Sequence, residues 1–236
     1  MSSIKKMLLG MLCIAAITFV GLGSSGCNSS PKPFKQESEI YAFSGATAIN
    51  LYNKVKKTTS RQTSGSVSEV TNEAQQTALA HRIYRLLPLA DGFVGGKDAI
   101  SVVEKTPKDA QFEKEYHTTI SHLNGKSETF EVCYTETSSQ EDGLLKNATV
   151  NGKILRKNDE TNYALSGQKA IVENEIVVNL KIEIDANNYI KVYQTQNRAY
   201  EFNFVVFVDG QKAEETSASF DKEDGNTIIK IPDRYK

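Results

Sequence analysis

Along residues 110–236 apolar side chains recur at every second position, and turn sequences interrupt the alternation about every ten to fifteen residues. A period of two places successive side chains on opposite faces of an extended chain, so this stretch is committed to half-buried strands. The clearest case is Ile176, Val178, Leu180, Ile182 and Ile184, interleaved with Asn179, Lys181, Glu183 and Asp185. Phe112, Tyr116, Thr118 and Ile120 share a face, and Asn124-Gly125 then turns the chain into Phe130, Val132 and Tyr134. Asn-Gly is a strong hairpin signal because both residues tolerate positive φ. By the same rule Asn151-Gly152 is expected to join Ala148-Thr149-Val150 to Ile154-Leu155, with Tyr163-Ala164-Leu165 following before Gly167. Beyond Ala186-Asn187-Asn188 come Ile190 and Val192, then Tyr200, Phe202, Phe204, Val206 and Val208. Asp209-Gly210 leads to Thr216, Ala218 and Phe220, and Asp224-Gly225 to Ile229 and Ile231.

Upstream the period changes. Ile40, Ala48, Leu51 and Val55, with Ala42, Phe43 and Ala46 between them, follow a 3.6-residue repeat and predict a helix from Ser38 to Lys57. Thr58 to Ser68 is rich in Ser and Thr and reads as a loop. Val70, Ala74, Ala78, Leu79, Ile83, Leu86 and Leu87 then form one apolar stripe, a second helix from Glu69 to Leu87 that Pro88 ends or kinks. The expected fold is α+β: a curved antiparallel β-meander or incomplete barrel of about eight or nine strands, covered by two N-terminal amphipathic helices. A closed two-sheet sandwich would leave those helices without a surface to cover.

The first residues carry an address. Lys5 and Lys6 precede an apolar run from Met7 to Val20, and small residues Gly23, Ser24, Ser25 and Gly26 lead to Cys27. This is the pattern of a signal peptide. The stretch from Met7 to Gly23 is also near the lower length limit of a bilayer-spanning helix, so an uncleaved anchor is the alternative. The approach to Cys27 resembles the lipobox of bacterial lipoproteins, although Ser24 stands where that motif usually has Leu. The resemblance implies that Cys27 takes a thioether-linked diacylglycerol and fatty acyl chains such as palmitate, and becomes the first residue of the mature chain. Each buried methylene contributes about 0.8 kcal/mol, and two or more chains give stable anchoring. The expected organisation is a signal peptide over 1–26, a Pro- and Lys-containing tether over 27–36, and a single α+β domain over 37–236, its helices within 37–105 and its sheet within 110–236.

Composition narrows the function. Lys and Arg number 28 against 29 Asp and Glu, a formal net charge of −1, which lacks the basic surplus that nucleic-acid binding requires. Three Cys and three His do not supply a Cys-rich scaffold or a zinc site of the usual kind. With Cys13 in the signal and Cys27 acylated, Cys133 would be the one thiol left, in a strand-like run where it reads as a quiet half-buried thiol rather than a nucleophile.

Glu113, Glu115 and His117 share a strand face, so two carboxylates and an imidazole are placed to hold a metal or act as acid and base. Their alternation with Phe112 and Tyr116 favours a solvated face, and His122 falls on the opposite one. His81 belongs to the second helix, and Glu183 with Asp185 reads as a solvated pair rather than a glycosidase couple. Gly92-Phe93-Val94-Gly95-Gly96 lacks the GK[ST] ending of a phosphate loop. No G-x-S-x-G, H-E-x-x-H or EF-hand motif occurs. Tyr189, Lys191 and Tyr193 share the face opposite Ile190 and Val192; tyrosines on an outer sheet face make either a binding platform or cross-strand packing.

The chain resembles uncharacterised exported lipoproteins of Firmicutes through Ile40-Tyr41-Ala42-Phe43, Leu86-Leu87-Pro88-Leu89, Val132-Cys133-Tyr134-Thr135-Glu136, Tyr163-Ala164-Leu165-Ser166-Gly167 and Asn187-Asn188-Tyr189-Ile190-Lys191-Val192. The resemblance implies a surface-tethered α+β domain and brings no catalytic residues. The sequence therefore predicts an exported lipoprotein anchored to the outer face of the bacterial cell membrane. Its expected role is a non-enzymatic module that binds an envelope protein or extracellular ligand, with no cofactor, no metal and no nucleic acid. The alternative is a carrier or sensor that holds an apolar small molecule between sheet and helices.

Overall fold

The computed structural model describes residues 16–19, 34, 36–62, 100–122, 125–142, 145–172, 175–195, 198–220 and 227–230. One antiparallel sheet and one helix account for the regular structure among them. In chain order the elements are β1 (Ala16–Phe19), α1 (Glu37–Gln62), β2 (Ile100–Lys105), β3 (Lys114–Ser121), β4 (Ser127–Asp142), β5 (Leu145–Arg156), β6 (Thr161–Val172), β7 (Glu175–Asp185), β8 (Asn188–Thr195), β9 (Arg198–Val208), β10 (Gln211–Phe220) and β11 (Thr227–Lys230). Strands β2 to β11 are neighbours in sequence order, a pure meander, and β1 returns to pair with the outer edge of β11. Nine of these strands, β2 to β10, form the body of the open sheet.

The alternation read from sequence sets the inner face. Ile176 to Ile184 lie in β7 with Val178, Leu180 and Ile182 buried, and Ile190 and Val192 of β8 are fully buried beside them. The turns at Gly125 and at Asp209-Gly210 fall where expected, with φ of 77° at Gly125, 52° at Asp209 and 76° at Gly210. Asn151-Gly152 is not a turn. It lies inside β5, and the chain reverses at residues 157–160 instead, with Glu160 at φ 53°. A Cβ on Gly152 would meet the Cys133 carbonyl oxygen at 2.1 Å and Tyr134 Cβ at 2.7 Å. The glycine is there because the backbone of β4 and the Tyr134 side chain cross directly over it, a close approach that bends a sheet. Gly167, read as following a strand, is inside β6 and is as crowded, with Asn179 O 2.2 Å from its would-be Cβ.

The sheet also begins earlier than expected, since β2 occupies residues within the stretch assigned to helices. The predicted helix over 69–87, the glycine run at 92–96 and the turn at Asp224-Gly225 lie outside the described residues. So do Cys27 and His81.

Helix α1 is not a lid on one side of the sheet. Every residue from Ile40 to Ile49 is buried, which is the signature of a helix enclosed on all sides. Tyr41 packs on Tyr134 of β4 with ring centroids 4.6 Å apart, while Phe43 packs on Phe202 and Phe204 of β9 at 4.9 and 6.2 Å. Residues two apart on a helix point about 200° away from each other. Strands five places apart in the sheet therefore flank opposite sides of the helix, and the sheet coils around it. The small residues Ala42, Ser44, Gly45, Ala46, Thr47 and Ala48 make this approach possible; a Cβ on Gly45 would stand 2.6 Å from Ile154 Cδ1. Burying side chains the size of Phe43, Leu51, Phe130, Ile154, Phe202 and Phe204 contributes about 1.5–3 kcal/mol each.

β1 lies in the apolar run that the sequence reading assigns to the export signal. Cleavage before Cys27 would remove it and leave β11 at the edge of the sheet. No helix among the described residues is long and apolar enough to cross a membrane.

Candidate functional site

The β3–β4 hairpin carries charge on both faces. Inward, Tyr116, Thr118 and Ile120 of β3 and Phe130, Val132 and Tyr134 of β4 join the core. The same register also brings Lys114 and Glu136 inward at one end. There Glu37, the first residue of α1, meets them together with Lys169 of β6. Lys169 Nζ lies 3.1 Å from Glu37 Oε1 and also donates to Glu136 Oε2; Lys114 Nζ lies 3.4 Å from Glu37 Oε1 and 3.7 Å from Glu136 Oε2. Tyr41 donates to Glu136 Oε1 at 3.2 Å and Tyr134 to Glu37 Oε1 at 3.4 Å. Burial works against ionising Glu37, but the hydrogen bond with Glu136 and the charges of Lys114 and Lys169 outweigh it and hold its carboxyl low. Glu136 is pushed up by burial and by the neighbouring Glu37 carboxyl, against the opposing pull of Lys169. Burial pushes both tyrosine hydroxyls far up, joined by Glu136 and Glu37 at Tyr41 and by Glu37 at Tyr134, so they remain donors. Two carboxyl groups and two lysines make a lock that fastens the start of α1 inside the sheet.

This cluster escaped the sequence reading because its members are distant in sequence. A signal was present. Lys169 stands in the inward series Tyr163, Leu165, Gly167, Lys169, where an unpaired lysine would be expelled.

At the other end of the hairpin His122 Nε2 is 3.5 Å from Glu128 Oε2, and Arg156 bridges Glu128 to Asp159. His122 and His117 therefore serve different faces, as the spacing predicted.

The outward face holds the residues singled out from sequence. His117 of β3 is directly opposite Glu131 of β4, and Glu115 precedes it by two on the same strand. His117 Nε2 lies 2.9 Å from Glu115 Oε1 and 3.1 Å from Glu131 Oε1. The expectation of a solvated face fails for Glu115, which is 2% exposed. The reason is the connection between β2 and β3, residues 106–113, which folds over the outer face. The Lys108 amide donates to Glu115 Oε2 at 2.9 Å, Thr135 Oγ1 donates to the Gln111 carbonyl at 3.0 Å, and Lys153 reaches Asp109 at 3.1 Å. Burial alone would raise the Glu115 pKa, but the Lys108 amide and His117 reverse the effect and hold it low. Glu131 is further met by Lys157 at 2.7 Å and Lys108 at 3.7 Å. Glu113, the third member of the predicted face, is exposed and does not join the cluster.

The tyrosine face is divided. Tyr189 stacks on Phe207 of β9 with centroids 4.4 Å apart and planes at 16°, and the Lys181 ammonium sits 4.6 Å above its ring. That is cross-strand packing. Lys191 and Tyr193 instead line a groove of about 920 Å³ over β5 to β8, beside Thr149, Ser166, Gln168 and Asn179. Its described lining mixes Lys, amides and hydroxyls with apolar residues such as Ala170, Val172 and Val177, and contains no carboxylate.

The remaining candidates are structural. Glu183 pairs with Lys181, and Asp185 accepts from the amides of Asn187 and Asn188, which closes the β7–β8 turn. Cys133 is buried, and burial together with Glu115 pushes its thiol up to about 11. The chain matches no described protein family, no curated protein and no solved structure.

Proposed function

We propose that the protein is a lipid-anchored extracytoplasmic binding module, tethered through Cys27 to the outer face of the cell membrane, and that the groove over β5 to β8 receives its ligand. The observation that supports this reading is the pairing of an open groove with a sheet interior that, among the described residues, is occupied by the buried stretch of α1, where a carrier would hold an apolar molecule. The groove chemistry favours a polar envelope ligand bearing negative charge. Lys191 supplies the cation, Asn179, Gln168, Ser166 and Thr149 supply hydrogen-bonding groups, and Tyr193 supplies a flat amphipathic surface.

The reading is tested with detergent-purified full-length protein and two probes, dextran sulfate and neutral dextran. Preferential binding of the sulfated polymer, weakened at least about tenfold in Lys191→Glu with Tyr193→Ala, is the expected result. Equal binding of both polymers, or no effect of the substitutions, rejects the groove. A native mass spectrum taken on the same sample reads the anchor as an increment lost in Cys27→Ser. An apolar species released on denaturation would replace this reading with that of a carrier.

A further inference from the structure

We propose that Glu115, His117 and Glu131 form a divalent-cation site on the outer face of the β3–β4 hairpin. One nitrogen and two carboxylate oxygens, the nearest atoms of the three side chains, all lie within 4.8 Å of one another. Four ligands around a zinc ion at bond lengths near 2.0–2.1 Å are separated by about 3.3 Å. The His117 contacts of 2.9 and 3.1 Å need to open by only a few tenths of an ångström to meet that spacing, and the two carboxylate oxygens, within 4.8 Å of each other, need to draw together around the ion.

The scaffold is rigid where the ligands are. His117 and Glu131 are paired residues of one antiparallel ladder, and Glu115 projects from the same face of the same strand. The Lys108 amide holds the second oxygen of Glu115 and aims the first at the site, the arrangement by which outer hydrogen bonds orient a metal ligand. Glu115 is buried, yet His117 keeps 29% of its side chain exposed, so three protein ligands leave a fourth position for water. The donor set of one imidazole and two carboxylates suits zinc and its borderline neighbours such as cobalt.

The charge balance points the same way. The two carboxylates are answered by Lys157 and Lys108, whose side chains are 40% and 74% exposed and, among the described residues, form ion pairs with Glu131, while the Lys108 charge also favours ionised Glu115. Both ammonium groups are free to swing into water when a cation takes their place. Lys157 is therefore a competitor of the metal. This separates a metal site from a salt-bridge cluster: removing Lys157 should tighten metal binding, whereas it can only loosen an ion-pair network.

The test uses full-length protein stripped with a chelator, titrated with Co²⁺ followed by visible absorption and with Zn²⁺ followed by calorimetry. The expected result is one saturable site per chain and a four- or five-coordinate cobalt spectrum. His117→Ala and Glu131→Gln should each weaken binding at least about tenfold, and Lys157→Met should strengthen it. Both His117 and Lys157 are partly exposed, so these variants stay informative even where Glu115→Gln fails to fold; circular dichroism checks each one. Absence of saturable binding overturns the proposal. So does binding that His117→Ala and Glu131→Gln leave unchanged, since the ion would then sit elsewhere.

Discussion

The two faces of the β3–β4 hairpin carry clusters of similar composition built to different ends. Inside, Glu37 and Glu136 meet Lys114 and Lys169, and tyrosine hydroxyls from α1 and β4 complete the shell. Outside, Glu115 and Glu131 meet an imidazole, while the nearby lysines keep contact with solvent. The difference lies in what happens to the cations. Inside, the Lys169 side chain is 10% exposed, so its charge is committed to the fold. Outside, Lys157 and Lys108 are tied by one end only. Burying cation and anion together makes a lock; burying the anion under a loop and leaving the cation wet leaves a place for something else.

The largest effect that would break this contrast belongs to Lys169→Met. It strands two shielded carboxylates, and the expected loss is about 3 kcal/mol in urea denaturation. Lys114 stays within 3.4 and 3.7 Å of them and limits the damage. A loss below about 1 kcal/mol would make the inner cluster as solvated as the outer. Next comes Gly152→Ala, which pushes a methyl group into the β4 backbone beneath Tyr134 and should cost about 2 kcal/mol by the same assay. If its stability were unchanged, the close approach that seats Tyr134 over the strand would not exist in solution.

A smaller effect, under about 1 kcal/mol, concerns pH. Glu136 has a folded pKa above the ordinary 4.5, so the folded state holds the extra proton between those two values, and stability falls as pH rises through that window. Glu37 and Glu115 have folded pKa values below 4.5; their contribution is complete above 4.5 and is lost as pH falls through the folded values. Stability therefore rises on the acid side as Glu37 and Glu115 ionise and falls on the neutral side as Glu136 loses its proton, and Glu136→Gln should flatten the neutral side while leaving the acid side. A midpoint series in urea across pH 3–7 reads both limbs, and an unchanged neutral side would assign the titration to another group.

The smallest effect is expected outside. His117→Gln keeps an amide donor for buried Glu115 and replaces a partner that is itself 29% exposed, so it should shift stability by no more than about 0.5 kcal/mol in metal-free buffer. A loss as large as that of Lys169→Met would make the outer cluster a second lock and erase the contrast.

Much of the architecture follows from periodicity that any reader of residues 110–236 can see. Val178, Leu180 and Ile182 point inward because alternation leaves them no other choice, and Asp209-Gly210 turns because both residues accept positive φ. The same local rules failed at Asn151-Gly152. A turn signal and a close-contact glycine are identical in sequence, and what distinguishes them is Tyr134 arriving from another strand. They failed again at Glu115, whose position in the alternation was read correctly and whose burial depends on a loop folding back over it.

The sequence by itself determined the class of the fold, the meander and the division of each strand into inner and outer faces, because these depend on spacing between near neighbours. Only the tertiary structure decided that α1 is enclosed rather than laid on one side, that Glu37 reaches Lys169 across more than a hundred residues, and that Glu115 and Glu131 converge on His117. Those outcomes depend on how far the sheet coils and where its connections fold back. Both are set by contacts between residues remote in the chain, which no local period records.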